Sequence, residues 1–231
     1  MKKKILCTIC ARGGSKGLKN KNIKKINGHE LIYHTIDLAK KIKYFSNIVV
    51  SSDSKKILDI SKKKVDFCIK RPAKLSNAYS SKIDAIRHAF LTAEKKFNLN
   101  FDAVVDLDVT SPLRSKNDIN KALNFFLKSK AHNLVSGSVA RKNPFFNQVI
   151  YKKNKLNLVC KLKKKIVRRQ DAPKVYDLNA SIYIWSRKKI LHSKNLISNK
   201  TVFFEMPYNR SIDIDDSLDF QIVNQLLKNK R

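Results

Sequence analysis

Ile5-Leu6-Cys7-Thr8-Ile9-Cys10, followed at once by Ala11-Arg12-Gly13-Gly14-Ser15-Lys16-Gly17-Leu18-Lys19-Asn20-Lys21-Asn22, decides how the rest of the chain is read. The apolar run after Lys2-Lys3-Lys4 imitates a signal peptide, but it is short and soon meets Arg12, so Ile5–Ile9 reads as a β-strand. In an open α/β sheet, ligands sit beyond the carboxyl ends of the strands. Glycines at that place let backbone N–H groups approach phosphate oxygens, and Arg12, Lys16 and Lys21 add charge-assisted contacts. The spacing of Gly13 and Gly17 fits neither a P-loop nor a dinucleotide fingerprint, and no Gly-Lys-[Ser/Thr] follows. Basic glycine loops are often plain turns. Standing directly after a first strand, this one favours a triphosphate cradle.

Outward from this loop, strand-like and helix-like stretches alternate. Leu31, Ile32, Ile36, Leu38 and Ala39 fall on one helical face, and Asn47–Ser51 reads as a buried strand. Ser54–Lys63 is a helix opened by Asp53 or Ser54, Asp66–Lys70 a third strand, and Ile83 to Ala93 a long helix. Phe101–Leu107 and Leu134–Val139 are strands flanking a helix marked by Ile119, Leu123, Phe126 and Leu127. Such alternation predicts an α/β fold: a Rossmann-like, doubly wound, mostly parallel sheet forming one domain over residues 1–231. The rhythm breaks at residues 141–175, where Gln148–Val167 reads as a basic hairpin. That arm is expected to pack its Phe145, Phe146, Val149 and Ile150 on a second subunit, making a homodimer. Strands at Ser181–Trp185 and Thr201–Phe204 and a helix at Leu218–Leu227 complete the chain.

Composition narrows the function classes. With 50 Lys+Arg against 18 Asp+Glu the formal charge is +32, which invites a nucleic-acid reading. Only ten of the basic residues are Arg, however, and the lysines are scattered through every segment. The densest runs, Lys62-Lys63-Lys64 and Lys161-Leu162-Lys163-Lys164-Lys165, read as solvated surface, so no nucleic-acid partner is expected. The field still favours anionic small molecules. No apolar run approaches the ~20 residues of a membrane helix, so a soluble, cytoplasmic protein without a membrane partner is expected. Cys7-x-x-Cys10 lacks a second Cys/His pair, and the five histidines form no metal-like spacing.

Three further constellations carry chemistry. In extended Ser211-Ile212-Asp213-Ile214-Asp215-Asp216, residues i and i+2 face the same way, so Asp213 and Asp215 can share a cation. Mg²⁺ is commonly held by one or two carboxylates plus phosphate oxygens and water. Asp216 and Asp219 fit the plainer role of acids at a helix N-terminus. Asp106-Leu107-Asp108-Val109-Thr110-Ser111-Pro112-Leu113-Arg114 ends the fourth strand and suggests a second lining of the same cleft. Arg168-Arg169-Gln170-Asp171-Ala172-Pro173 precedes Asn179-Ala180-Ser181-Ile182-Tyr183, and an Arg pair can grip a carboxylate.

Taken together, Ala11–Asn22, Ile48–Asp53, Arg71-Pro72-Ala73, Thr110–Arg114, Arg168–Tyr183 and Ser211–Asp215 resemble the acylneuraminate cytidylyltransferase (CMP-sialic acid synthetase) family along essentially the whole chain. The resemblance implies a sheet of the nucleotide-diphospho-sugar transferase type, and CTP plus an anionic nine-carbon α-keto sugar acid as substrates. The products are a CMP-sugar and pyrophosphate, with Mg²⁺ as cofactor and usually a dimer. By position it implies that Arg12, Gly13, Ser15, Lys16, Lys21 and Asn22 hold the triphosphate, with Lys21 and Arg12 catalytic. Arg71 and Ser81 would contact the cytidine, and Asp108, Arg169, Asn179 and Tyr183 the sugar. Asp213 and Asp215 would take the metal, and Asp215 would also assist deprotonation. Asp108 stands where sialic acid enzymes typically carry a glutamine. This and the Asp-Leu-Asp-x-Thr-Ser-Pro-Leu-Arg form look like the branch that activates legionaminic acid for surface glycans. N-acetylneuraminate and pseudaminate synthesis, and an RNA-binding module, are the rival expectations.

Overall fold

In β1 (Ile5–Cys10), Ile5, Cys7 and Ile9 are buried on one face of a sheet and Leu6 on the other. A strand apolar on both faces must lie between two helical layers, and β1 does. The computed structural model describes residues 3–14, 17–77, 79–163 and 166–229. Ser15 and Lys16 of the glycine loop, and Lys164 and Lys165 of the basic run, lie outside the described residues.

After β1 come a two-residue ladder, β2 (Lys25–Ile26) with β3 (His29–Glu30), and then α1 (Leu31–Lys40). The units β4 (Phe45–Ser52), α2 (Lys55–Ser61), β5 (Phe67–Lys70), α3 (Lys82–Phe97), β6 (Ala103–Leu107), α4 (Lys116–Lys128) and β7 (Asn133–Val139) follow. A small hairpin of β8 (Val149–Lys152) and β9 (Lys155–Leu158) precedes β10 (Tyr176–Ser186), α5 (Arg187–His192), β11 (Thr201–Glu205) and α6 (Ser217–Lys228). The seven-stranded sheet has the order β11-β7-β10-β6-β1-β4-β5. Its neighbours are parallel except β10, which runs antiparallel to both β6 and β7. The expected doubly wound, mostly parallel sheet is therefore present.

Helices α1, α2, α4 and α6 bury Ile32, Ile36, Ile57, Leu123 and Val223 on one face. Helices α3 and α5 bury Ile86, Phe90 and Ile190 on the other, together with Trp185. Of the two residues considered as the cap of α2, Ser54 takes the role, its Oγ accepting from Ile57 N–H. Strand β10 is longer than Ser181–Trp185, reaching back to Tyr176 through a break in register between Leu178 and Tyr183. Ala180, at φ 50°, lies within that break.

Within residues 141–175 the strands cover only Val149–Leu158, less than the hairpin read over Gln148–Val167. Val149, Ile150, Tyr151 and Leu156 are exposed, whereas Phe145 and Phe146 are half-buried on their own chain. Among the described residues, no helix is long and apolar enough to cross a membrane.

Candidate active site

The loop after β1 is held at both ends. Ala11 N–H donates to the Ser51 carbonyl, and Gly13 N–H donates to Asp53 Oδ1 at 2.9 Å. Buried Asn22 closes the loop, its Nδ2 donating to the Arg12 carbonyl at 2.9 Å. From the far end of the chain, the segment after residue 210 returns to meet this loop. Ile214 N–H donates to the Thr110 carbonyl, and a Cβ on Gly17 would stand 2.3 Å from the Asp215 carbonyl oxygen. Only glycine allows that approach. Lys21 Nζ donates to the Ile214 carbonyl and lies 3.2 Å from Asp215 Oδ1.

Between these segments lies a cavity of about 520 Å³, at the carboxyl ends of β1, β5 and β6. Arg12, Gly17, Lys21 and Asn22 line it from the first loop, and Arg71, Ser81 and Lys82 from the β5–α3 connection. Asp108, Thr110, Ala180, Asp213 and Asp215 complete the opposite walls. Arg71 is buried; its Nη2 is ion-paired with Asp53 Oδ1 at 4.0 Å, and its Nε and Nη2 make no hydrogen bond. Ser81 caps α3, its Oγ accepting from Ile83 N–H.

Lys82 was not among the sequence-predicted site residues. Its Nζ donates to Asp108 Oδ2 at 2.6 Å and stands 3.2 Å from Asp106 Oδ2. The one sequence signal was a lysine in the first turn of a helix, where the dipole disfavours a cation. Asp106 is buried and accepts from Thr8 Oγ at 2.8 Å through its other oxygen, so of the two alternating carboxylates only Asp108 lines the cavity. Burial pushes the Asp108 carboxyl up, but the Lys82 ammonium and hydrogen bonds from Lys82 and Thr110 outweigh it and hold it at about 2. Burial, then the charges of Asp215 and Asp108, push the Asp213 carboxyl up to about 6.

The Asp108 turn is itself fixed by buried Arg114. Its guanidinium donates to the Asp108 and Ser181 carbonyls and to Thr35 Oγ1. Burial lowers this guanidinium to about 10.

Of the other sequence-predicted residues, Gly13 faces the β4–α2 turn, where an added Cβ would meet Ser54 Cβ at 2.9 Å. Asn179 is buried outside the cavity lining. Its Nδ2 donates to Ser211 Oγ, and its Oδ1 accepts from Ser136 Oγ and Ser181 N–H. Tyr183 is buried with the Lys82 ammonium 5.1 Å from its ring centre. Arg169 lies on the arm, its Nη2 donating to the Arg141 carbonyl, away from this lining. All four cysteines are free thiols, and Cys10 reaches the cavity. Among the described residues no group of three or more His, Cys, Asp or Glu is placed to hold a metal ion. Asp213 and Asp215 stand as a pair, which suits a hard cation whose other ligands are phosphate oxygens and water.

A family model described as cytidylyltransferase matches residues 6–224. The chain is 44% identical over 228 residues to post-translational flagellin modification protein B of Campylobacter coli, covering 98% of this chain and 96% of that protein. Identity and coverage are the same for the CMP-N,N'-diacetyllegionaminic acid synthase of Campylobacter jejuni. Among solved structures, the CMP:2-keto-3-deoxy-manno-octonic acid synthetase complexed with CTP is similar in fold. Its TM-score is 0.68 and its identity 14%, over 99% of this chain and 100% of that one.

Proposed function

The chain belongs to the cytidylyltransferase family, and from that premise we propose that it activates a nine-carbon α-keto sugar acid, N,N'-diacetyllegionaminic acid or a close relative, with CTP. The anomeric oxygen of the sugar attacks the α-phosphorus and the bond from that phosphorus to the bridging oxygen breaks. CMP-sugar forms, pyrophosphate leaves, and the hydroxyl proton passes to solvent or to Asp215. The observation that carries this reading is the meeting of the Lys21 loop with Asp213 and Asp215 around one cavity at the carboxyl edge of the sheet.

In-line transfer of this kind needs positioning and charge neutralisation more than covalent help from the protein. Arg12, Lys21 and Asn22 orient the triphosphate, and Lys21 and Arg12 offset charge gathering on the pyrophosphate. Buried Arg71, whose Nε and Nη2 make no hydrogen bond, suits the cytidine together with Ser81, and Asp108 suits the sugar. Asp213 and Asp215 would hold Mg²⁺, which supplies charge neutralisation on phosphate oxygens when bound. A homodimer formed through the exposed apolar side chains of the 141–175 arm would offer Arg169 to a neighbouring cavity. With CTP as donor, the reaction belongs in the cytoplasm.

The test is pyrophosphate release from CTP by the purified protein with a panel of sugar acids, each product identified by mass. N,N'-diacetyllegionaminic acid should give the highest kcat/KM. Turnover confined to N-acetylneuraminate or pseudaminic acid would reassign the sugar, and no turnover with any of them would overturn the reading. Lys21→Ala should lower kcat about 10²–10³-fold without loss of fold.

A further inference from the structure

Three charged side chains, Asp106, Lys82 and Asp108, form a row from the core to the cavity. Their side-chain exposures are 0%, 32% and 20%. Asp106 is spent inside, on Thr8 and Lys82. Lys82 has three N–H donors; it donates one to Asp108 Oδ2 at 2.6 Å, and its ammonium is ion-paired at 3.2 Å with Asp106 Oδ2, an oxygen that has no hydrogen-bond partner. Asp108 uses Oδ1 on the backbone N–H and hydroxyl of Thr110, which leaves lone-pair capacity on Oδ2 beside Lys82. Both Lys82 and Asp108 line the cavity. The Lys82 ammonium also lies 5.1 Å from the centre of the Tyr183 ring.

We propose that Lys82 is a specificity-determining residue for the sugar acid, presenting with Asp108 a donor and an acceptor 2.6 Å apart to one substrate hydroxyl. The proposal deepens the function given above and rests on it. The acceptor on Asp108 and the donor on Lys82 together select a group that can both donate and accept. A hydroxyl satisfies both members through one oxygen, donating to Asp108 and accepting from Lys82. A trans amide directs its N–H and C=O to opposite sides and cannot bridge both.

The experiment measures kcat and KM for sugar and for CTP in the wild type, Lys82→Met, Lys82→Arg and the double variant Lys82→Met with Asp106→Asn. Each is assayed with the preferred sugar acid and its monodeoxy analogues. The double variant keeps the wild-type net charge of the row and guards against misfolding of the single one. A site built to bond a hydroxyl rejects the analogue that lacks it, so wild type should disfavour one deoxy sugar by about 10² or more in kcat/KM. Lys82→Met and the double variant keep the Asp108 acceptor, so they should lower that discrimination about tenfold without abolishing it and raise the sugar KM about tenfold. The CTP KM should stay within about twofold, and Lys82→Arg should restore part of the discrimination. Undiminished deoxy discrimination in both Met variants would overturn the assignment, as would equal rises in both KM values. Loss of fold in both would do so too, leaving a structural ion pair. Absence of wild-type turnover on the whole panel is a different result: it removes the proposed function, and this inference with it.

Discussion

Burial and the charges of Asp215 and Asp108 push the Asp213 carboxyl up to about 6, against an ordinary value of 3.8. The folded protein thus holds this proton more tightly than the unfolded chain, and stability falls as pH rises through the window from about 4 to about 6. Above it the ionised carboxylate opposes folding, by about 1–2 kcal/mol after allowance for solvent screening. Asp213→Asn should therefore raise Tm at pH 7 by about 2–6 °C while removing most pyrophosphate release. A calorimetric scan and an assay on the same sample check both halves. Wild-type Tm should rise with Mg²⁺ and CTP together, and that rise should be small in the variant. Asp108 runs the other way. Held at about 2, it contributes stability that is present above pH ~4 and lost as pH falls toward 2.

Helix α4 shows how an element is tied to the site. Ser115 Oγ accepts from Asp118 N–H, and Asp118 Oδ2 accepts from Ser115 N–H, a reciprocal cap that satisfies two orphan donors. The same carboxylate accepts from Arg210 Nε and Nη2 at 2.8 and 2.9 Å. Arg210 immediately precedes Ser211–Asp216, so the cap of one helix anchors the strip that carries Asp213 and Asp215. Asp118→Ala should cost about 1–2 kcal/mol in urea unfolding, for the lost cap and the lost pairing with a partly exposed guanidinium. A rise in the KM for CTP should accompany it. Ser115→Ala removes the hydroxyl alone and should cost about 1 kcal/mol with the KM unchanged.

At the scale of the molecule, residues 17 and 215 touch across the whole sequence, and the proposed function depends on that contact. Gly17→Ala places a methyl group against the Asp215 carbonyl and must part the two segments. Its kcat/KM should drop at least tenfold while Tm changes by no more than about 2 °C. A variant with near-normal turnover would show that this contact is dispensable. The exposed apolar arm makes a separate prediction. Ile150→Asp with Tyr151→Asp should shift sedimentation from dimer to monomer, whereas a wild-type protein that sediments as a monomer would remove the dimer from the reading.

The doubly wound sheet was legible in the sequence because buried strands such as Ile5–Cys10 and helices such as Ile83–Ala93 write their periodicities locally. The glycine loop and the i, i+2 spacing of Asp213 and Asp215 were legible for the same reason, since each signal is complete within a dozen residues. Short elements such as β2, β3 and α5 were missed, because two to six residues hold too little periodicity. Three features depended on tertiary structure alone. Lys82 entered the site because α3 sets it against the end of β6, more than twenty residues on. Asn179 turned inward to Ser136 and Ser211 where the register of β10 breaks, beside the left-handed Ala180. The ends of the chain met over one cavity because the parallel strands all discharge at the same edge. Local spacing determines which groups a segment can present, but the energy of pairing and burying charges depends on distances that only the folded chain sets.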